Sequence, residues 1–300
     1  MRNECRLSIV TVNYNGLKDT CALIESLPFN ENMEVIVVDN ASKQDEASII
    51  AQRYPYVKTT RTDKNLGFAG GNNIGIREAK GKYLFMINND TVFKEFNIVP
   101  LIKRLESSPK IGIVCPKIRF AWGASPIQYA GYTPLSKITI RNQSIGFSEE
   151  DNGQYDTDRP TPYAHGAAML IKREAIEKVG LMPEEYFLYY EEIDWSMMFT
   201  KASYKIWYEP ACTVYHKESQ STGQDSPLRT YYITRNRLLL VKRNWQGLYK
   251  YLAYCYLICL VAPRDLFKYA FKGKFNHFQA VKNGLYDFCL SKYSSINYKQ

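Results

Sequence analysis

The N-terminal third of the chain alternates between short apolar segments and longer amphipathic segments, which constrains the fold more than any other feature. Strand-like segments cover residues 6–12, 33–40, 56–61 and 83–87, and helical patterns cover 17–27, the stretch up to about Arg53, and 70–80. Strands that alternate with helical patterns of roughly ten to fifteen residues form βαβ units around a parallel sheet. We therefore predict an α/β fold with a mixed, mainly parallel sheet flanked by helices.

Each predicted strand ends in Asn, Asp and Gly residues. These endings are residues 13–16 (NYNG), 39–42 (DNAS), 65–73 (NLGFAGGNN) and 88–90 (NND). A single ending of this kind is typical of a turn or a helix N-cap. Ligands of parallel sheets, however, bind beyond the carboxyl ends of the strands. Four such endings in succession therefore predict a binding cleft at this edge.

Two common nucleotide-binding motifs are excluded. The Rossmann fingerprint needs G-x-G-x-x-G in the first strand–helix turn, where this chain has Asn13-Tyr14-Asn15-Gly16. Residues 75–83 differ from a P-loop because five residues separate the glycines instead of four. Tyr83 also occupies the position where a P-loop needs Ser or Thr.

The positive charge is concentrated in the last quarter of the chain. Residues 229–300 contain 13 Lys and Arg against Asp265 and Asp287, so this region carries +11 and the remainder −2 of the net +9. Such an asymmetry predicts two regions with different roles. We assign residues 1–228 to the α/β domain and residues 229–300 to a basic, aromatic-rich helical extension.

An apolar segment within the basic region, residues 251–262, is too short to span a bilayer, which needs ~20 residues. Lys250, Arg264 and Lys268 flank it, and a Tyr- and Phe-rich segment follows. Apolar faces beside basic residues suit a helix that lies in the headgroup region of an anionic membrane. The alternatives are a buried helical hairpin or a homodimer contact. A basic region can also bind nucleic acid, but we predict no nucleic-acid partner.

The cysteine pattern and the N-terminus favour a reduced compartment. The seven cysteines form no C-x-x-C pair, and an odd number cannot all pair within the chain. The first twenty residues contain no apolar run typical of a signal peptide. Together with the basic region, these features predict a cytoplasmic protein attached peripherally to the inner face of the cytoplasmic membrane.

Several motifs together resemble family 2 glycosyltransferases of the GT-A fold, in the rhamnosyltransferase-like branch. They are SIVTVNYNG, VIVVDNAS, NLGFAGGNNIGI, LFMINNDT, HGAAMLIKREAIEKVG (165–180), YFLYYEEIDWSMM (186–198) and VYHKES (214–219). The resemblance covers about residues 6–245. It implies a GT-A catalytic domain that binds a nucleotide-sugar donor.

The resemblance implies a divalent cation, Mg²⁺ or Mn²⁺, at the end of the fourth strand. In the family this strand ordinarily ends in two aspartates one residue apart, whereas here the pair is Asn88 and Asp90. One carboxylate with an amide carbonyl is still adequate for Mg²⁺. By the same resemblance His216 supplies an imidazole to the cation or to the diphosphate. Asn89 is expected to face away from the cation.

The resemblance also implies a donor site along the strand ends. Asp39 is expected to accept a hydrogen bond from the N3–H group of uracil or thymine, with N-capping of the next helix as its alternative role. The implied donor-binding residues are Asn13, Tyr14, Asn15, Asp39, Asn65, Gly67, Asn88 and His165. The implied donor is dTDP-rhamnose, with UDP-hexoses as the alternative. His277 is expected at the surface.

Three carboxylates, Glu191, Glu192 and Asp194, lie within an aromatic run. Acids of this kind are also common at helix N-termini. A carboxylate whose pKa is raised by apolar walls and a like charge, however, suits a general base. By resemblance Glu192 is that base, Asp194 is the second choice, and Glu191 supports them.

These features predict a metal-dependent inverting glycosyltransferase of cell-surface polysaccharide synthesis. Its acceptor is expected to be a saccharide, in particular a lipid-linked one. The alternative is a non-catalytic, membrane-associated protein that binds nucleotide sugars, because Asn88 weakens the metal motif.

Overall fold

The computed structural model describes residues 6–28, 31–218 and 225–291. Cys5, Ser219 of the last motif, and Lys292 and Lys299 of the basic region were part of the predictions above and lie outside the described residues.

One mixed sheet forms the centre of the molecule. In the described ranges its strands are β1 (Leu7–Asn13), β2 (Met33–Asp39), β3 (Val57–Arg61), β4 (Tyr83–Ile87), β5 (Thr91–Val92), β6 (Ile111–Phe120), β7 (Ile127–Tyr129), β8 (Arg159–Thr161), β9 (Ala168–Lys172) and β10 (Lys205–His216). The strand order is β3-β2-β1-β4-β9-β6-β10-β5, with β7 paired to β6 and β8 to β10.

Helices cover the sheet and continue beyond it. They are α1 (Leu17–Glu25), α2 (Glu46–Arg53), α3 (Gly67–Glu78), α4 (Val99–Glu106), α5 (Arg173–Val179), α6 (Glu191–Lys201), α7 (Pro227–Asn244), α8 (Gly247–Cys255), α9 (Ala262–Phe271) and α10 (Phe275–Cys289). A 3-10 turn at Glu184–Tyr186 precedes α6, and a π-helical segment at Tyr256–Val261 joins α8 to α9.

The predicted βαβ units are confirmed. Strands β1, β2, β3 and β4 pair in parallel, with Asn13 opposite Asp39 at the end of the β1–β2 ladder. Strand β9 runs antiparallel to both β4 and β6, and β10 is parallel to β6. The carboxyl ends of β1, β2, β4, β6 and β10 therefore meet at one edge, where β9 begins.

Helix α3 begins earlier than predicted, at Gly67 instead of Gly70. Its sequence is rich in glycine, which disfavours an isolated helix. Packing explains these glycines: a Cβ atom added to Gly75 would lie 2.2 Å from Val10 Cγ1 of β1. Close contact with the sheet stabilises a helix that its glycines disfavour.

The C-terminal helices share a core with the rest of the chain. Leu238, Leu239, Leu240 and Val241 of α7 cluster with Leu135, Tyr163, Tyr186 and Ile193. Helix α7 is capped by Ser226, whose side chain accepts a hydrogen bond from Arg229 N. This start is close to the predicted boundary after residue 228, and the division into two domains stays a prediction. Among the described residues, no helix combines the length and the apolar composition that a transmembrane span needs.

The expectation that His277 lies at the surface is wrong. Its side chain is buried, its Nδ1 atom lies 2.9 Å from Thr230 Oγ1, and its ring stacks on Tyr269 at 4.8 Å. The physical reason is that α10 packs against α7, which covers this face of the helix.

Candidate active site

The ends of β4 and β10 bring Asn88, Asp90 and His216 together. His216 Nε2 lies 3.1 Å from Asp90 Oδ1 and 3.5 Å from Asn88 Nδ2. On the other side of the ring, Nδ1 lies 2.8 Å from Gln128 Oε1. When the Nδ1–H group donates a hydrogen bond to Gln128, the lone pair is on Nε2 and points toward Asn88 and Asp90.

The donor set of these three side chains fits a divalent cation. Asp90 Oδ2 is buried and has no hydrogen-bond partner among the described residues. A buried carboxylate oxygen of this kind is costly unless a ligand satisfies it. Within the described part of the chain, no three His, Cys, Asp or Glu side chains form a metal-sized cluster. Asn88 would complete the set through its amide oxygen.

Asn89 faces away from the candidate cation ligands, as predicted. Its Nδ2 atom donates to Thr20 Oγ1 at 3.0 Å. This contact joins the end of β4 to α1 and gives Asn89 a structural role.

Asp39 is fully buried at the end of β2, and it does not cap the next helix. Helix α2 is capped by Asp45, which accepts a hydrogen bond from Ser48 N. Asp39 Oδ1 accepts from Asn13 Nδ2 at 3.1 Å and from the Ser42 hydroxyl. Asp39 Oδ2 lies 3.7 Å from Arg61 Nε and has no hydrogen-bond partner within the described ranges. One oxygen is thus held in place, and the other is left to accept a hydrogen bond.

The turn after β1, residues 13–16, holds the Asp39 side chain in place through hydrogen bonds. The Asn13 side chain is buried and donates to Glu46 Oε2 at 2.7 Å, in addition to Asp39. Asn15 Oδ1 accepts from the backbone of Lys43 at 2.8 Å. Tyr14 is 40% exposed, so its side chain can reach a ligand.

Asn65 and Gly67 build the loop before α3. Asn65 Oδ1 accepts from Asn40 Nδ2 at 3.0 Å and from Gly67 N at 2.8 Å. The role of Gly67 in donor binding stays a prediction. Gly67 packs against protein, since a Cβ atom added to it would lie 2.2 Å from Phe187 O. Its φ angle of +73° also favours glycine.

His165 lies in the loop that precedes β9. Ala167 O accepts from Asn88 N at 2.9 Å, which attaches this loop to the end of β4. The His165 ring stacks on Tyr132 at 5.8 Å and lies 6.5 Å from the His216 ring. Burial, with a smaller effect of His216, lowers the pKa of His165 to about 3. The imidazole is therefore neutral at physiological pH.

Glu191 and Glu192 begin α6 beside this loop. Glu192 is half-buried, and a Cβ atom added to Gly166 would lie 3.8 Å from its Cγ. Burial raises the pKa of Glu192 to about 7. Burial and the charge of Glu192 raise the pKa of Glu191 well above its usual range, and Glu191 Oε2 has no hydrogen-bond partner in the described chain.

Asp194 belongs to a buried polar cluster on the other side of α6. Its Oδ2 atom lies 2.5 Å from Arg243 Nε and accepts from Tyr186 OH at 3.0 Å. Its Oδ1 atom accepts from Asn244 Nδ2 at 2.7 Å. Because both oxygens have strong partners, Glu192 is the better proton acceptor of the two.

Some residues of the site were missed at the sequence level. They are Glu46, which holds Asn13; Gln128, which orients His216; and Arg243 and Asn244, which hold Asp194. A weak signal exists for Gln128 alone, as a polar residue in a short apolar strand.

The sequence of this chain matches a model of one protein family over most of the α/β domain. The model for glycosyl transferase family 2 matches residues 8–180, more than half of the chain. The chain belongs to glycosyl transferase family 2. The family predicted from the motifs is therefore confirmed, and glycosyltransferase activity follows from membership.

Similar family 2 glycosyltransferases include rhamnosyltransferases. The N-acetylglucosaminyl-diphospho-decaprenol L-rhamnosyltransferase of Mycobacterium tuberculosis is 26% identical over 220 residues, which cover 67% of this chain and 71% of the relative. The dTDP-rhamnosyl transferase RfbF of Shigella flexneri is 28% identical over 259 residues, which cover 78% of this chain and 79% of the relative.

A solved structure shows the same fold. GalNAc-T7, crystallised with UDP, GalNAc and Mn²⁺, matches with a TM-score of 0.63 at 17% identity over 84% of this chain. The match covers 51% of GalNAc-T7, so this family 2 glycosyltransferase spans about half the length of that protein. The predicted GT-A fold is confirmed.

Proposed function

We propose that this family 2 glycosyltransferase is an inverting enzyme that moves a hexose from a nucleoside diphosphate to a saccharide acceptor. Glu192 carries the proposal. It is a half-buried carboxylate whose pKa is raised to about 7, and it lies beside the loop that contacts the end of β4. A general base works best when its pKa is near the working pH.

The proposed reaction is a single displacement at the anomeric carbon. The acceptor oxygen forms a bond to this carbon while Glu192 takes the hydroxyl proton. The bond from the anomeric carbon to the diphosphate oxygen breaks, and the nucleoside diphosphate leaves with the electron pair. Attack opposite the leaving group inverts the anomeric configuration.

Asn88, Asp90 and His216 would hold Mg²⁺ or Mn²⁺. When bound, such a cation offsets the negative charge of the diphosphate. The unsatisfied oxygen of Asp90 and the accepting side of the His216 ring support this assignment.

We propose dTDP-rhamnose as the donor, with UDP-hexoses as the alternative. The Oδ2 atom of Asp39, which accepts no hydrogen bond within the described residues, suits the N3–H group that thymine and uracil share. Two relatives are named for rhamnosyl transfer, and the name of one specifies the dTDP-linked sugar. The name of the other specifies a diphospho-decaprenol saccharide, which supports a lipid-linked acceptor.

A donor panel tests this proposal. We expect dTDP or UDP to be released from one donor in the presence of Mg²⁺ or Mn²⁺, faster when a lipid-linked saccharide is added. NMR of the product should show the inverted anomer. Binding of a nucleotide sugar without any release would favour the alternative, a non-catalytic binding protein, and retention of configuration would refute the inverting mechanism.

We also propose that α8, α9 and α10 attach the protein to an anionic membrane. One face of this region packs toward α7 through Ala253, Leu257 and Val261. The opposite face leaves large apolar side chains in solvent: Phe267, Phe271 and Phe275 are 70, 93 and 70% exposed. Exposed apolar groups of this size mark interaction surfaces.

The charge of these helices favours a lipid partner over a second copy of the chain. Lys268, Lys272 and Lys274 alternate with the exposed phenylalanines. Basic residues contribute about 1 kcal/mol each near anionic lipid, whereas two copies of a basic face repel each other. Attachment of this kind would place the cleft near a lipid-linked acceptor.

The double substitution Phe267→Ser and Phe271→Ser should weaken binding to phosphatidylglycerol vesicles at low salt by about tenfold or more, because each buried aromatic side chain contributes roughly 1.5–3 kcal/mol. Phe147→Ser is the matched control, since Phe147 is 54% exposed and lies outside these helices. Vesicle co-sedimentation and donor turnover are measured together. A wild-type protein that ignores these vesicles and dimerises instead would refute membrane attachment.

A further inference from the structure

The segment that leads into Glu191 and Glu192 has a strained backbone. Phe187, Tyr189 and Tyr190 have φ angles of +64°, +70° and +78°, a region that residues other than glycine rarely adopt. Leu188 N donates to Tyr186 O at 2.8 Å and closes a γ-turn around Phe187. A γ-turn with positive φ is rare and costs free energy. Something else in the fold must hold this segment in place.

This strained segment, residues 186–190, connects the two sides of the candidate active site. Its last residue, Tyr190, is the N-cap of α6, which begins with Glu191. On the other side, Phe187 O accepts a hydrogen bond from Phe68 N at 2.7 Å, directly after Gly67. A shift of the segment would therefore move the start of α6 relative to the loop that precedes α3.

Two neighbouring side chains of α7 hold the carbonyl groups of this segment. Asn236 Nδ2 lies 3.0, 2.7 and 2.9 Å from the carbonyl oxygens of Tyr186, Leu188 and Tyr189. Arg235 Nη2 donates to Tyr186 O at 2.7 Å and to Glu185 O at 3.0 Å. The Tyr186 carbonyl thus accepts from both side chains as well as from the γ-turn.

The two side chains are themselves fixed. Arg235 and Asn236 are fully buried, and Arg235 Nε donates to Asn236 Oδ1 at 2.9 Å. The Arg235 guanidinium also lies over the ring of Tyr232 at 5.0 Å. Phe187, at the centre of the γ-turn, stacks on the same Tyr232 ring at 5.2 Å. One rigid unit on α7 therefore contacts both the carbonyls and the side chain of the strained segment.

We propose that Arg235 and Asn236 are positioning residues that hold residues 186–190 so that Glu192 faces the acceptor hydroxyl. This inference rests on the proposed role of Glu192 as the base. Strain that the surrounding structure maintains is typical of active sites. Helix α7 lies beyond residues 8–180, which the family model matches, and the inference makes it part of the catalytic unit.

Asn236→Leu tests the inference, since leucine has a similar volume and no donor. We expect kcat to fall by about tenfold or more, because a displaced base loses much of its contribution, while the KM for the donor changes by less than about twofold. Val241→Ala is the matched control: it removes buried side-chain volume from the same helix and no hydrogen bond to the segment.

The pH dependence of kcat distinguishes a displaced Glu192 in folded protein from a smaller folded fraction. The base must be ionised, so kcat falls as the pH decreases through the pKa of Glu192, which burial raises to about 7. The titratable side chains that interact with the charge of Glu192 are Glu191, Tyr132 and Tyr190. A loosened segment hydrates Glu192 and lowers its pKa, which moves the acid limb of the profile to lower pH. A smaller folded fraction lowers the whole profile without moving it.

Amide hydrogen exchange gives a readout that needs no activity. Exchange in residues 184–195 should become faster in Asn236→Leu and stay unchanged in Val241→Ala. The inference is overturned if Asn236→Leu leaves the exchange of residues 184–195 unchanged, or if it leaves kcat unchanged while the wild type is active.

If Asn236→Leu does not fold, Arg235→Lys replaces it, because lysine keeps the charge and has one nitrogen in place of the three of the guanidinium. If neither variant folds, the pair is structural and the inference is wrong. A wild-type protein that is inactive on every donor refutes the proposed function. In that case amide hydrogen exchange still tests whether Asn236 holds residues 186–190.

Discussion

Replacing Glu192 with glutamine should lower kcat by ~10²-fold or more, the usual size of a general-base contribution, and leave the donor Kd nearly unchanged. Glutamine keeps the shape of the side chain and removes its basicity. The pH profile adds a second criterion. Because burial raises the pKa of Glu192 to about 7, wild-type kcat should decline below neutral pH, and the residual activity of the variant should not follow this decline.

Asp194→Asn is the comparison that decides between the two acids. Both Asp194 oxygens are engaged, by Arg243 and Tyr186 on one and by Asn244 on the other. Loss of this charge leaves Arg243 without a buried partner, so we expect a loss of stability to thermal unfolding and a smaller change of kcat per folded molecule. If Asp194→Asn lowers kcat as predicted for Glu192→Gln, and Glu192→Gln does not, Asp194 is the base.

Replacing Asp90 with alanine should weaken metal-dependent donor binding by ~10²-fold or more, because even residues that only support metal ligands contribute 10–100-fold. Asp90 is the one carboxylate among the three side chains assigned to the cation, and one of its oxygens has no protein partner in the described chain. Isothermal titration of the donor with and without Mn²⁺ measures the effect, and thermal unfolding without added cation reports whether the fold is retained.

Asn88→Asp is the matched variant for this experiment. It restores the two-aspartate form of the motif, so it should be tolerated and should bind the cation at least as tightly. Donor binding by Asp90→Ala that is as dependent on Mn²⁺ as in the wild type would falsify the metal assignment. Loss of activity in folded Asn88→Asp would show that Asn88 has a role other than metal binding.

Much of the fold follows from local pattern. The apolar runs at 6–12, 33–40 and 83–87 correspond to β1, β2 and β4 within one or two residues at each end. Such runs are reliable because a strand covered on both faces must be apolar throughout. The start of α3 was less predictable, because its glycines are explained by contact with β1 and not by helix propensity.

The site was predictable in its location and only partly in its details. Asn88, Asp90 and His216 were expected to act together, and the structure places side-chain atoms of Asn88 and Asp90 within 3.5 Å of His216 Nε2. The motif could not show that the Asn13 side chain is used to hold Asp39, while Tyr14 beside it is exposed. Such differences depend on partners from other elements, such as Glu46 of α2.

The sequence by itself determined the order of strands and helices, the polar edge of the sheet and the family, because these depend on periodicity and on short motifs within single segments. Only the tertiary structure decided which acid of the cluster is free: Asp194 meets Arg243, 49 residues later in the chain, and Glu192 has no such partner in the described residues. It also buried His277 of α10 against α7 and placed Asn236 against the segment that leads into Glu192. Contacts between distant residues depend on how helices pack, and the pattern within each helix does not specify its neighbour.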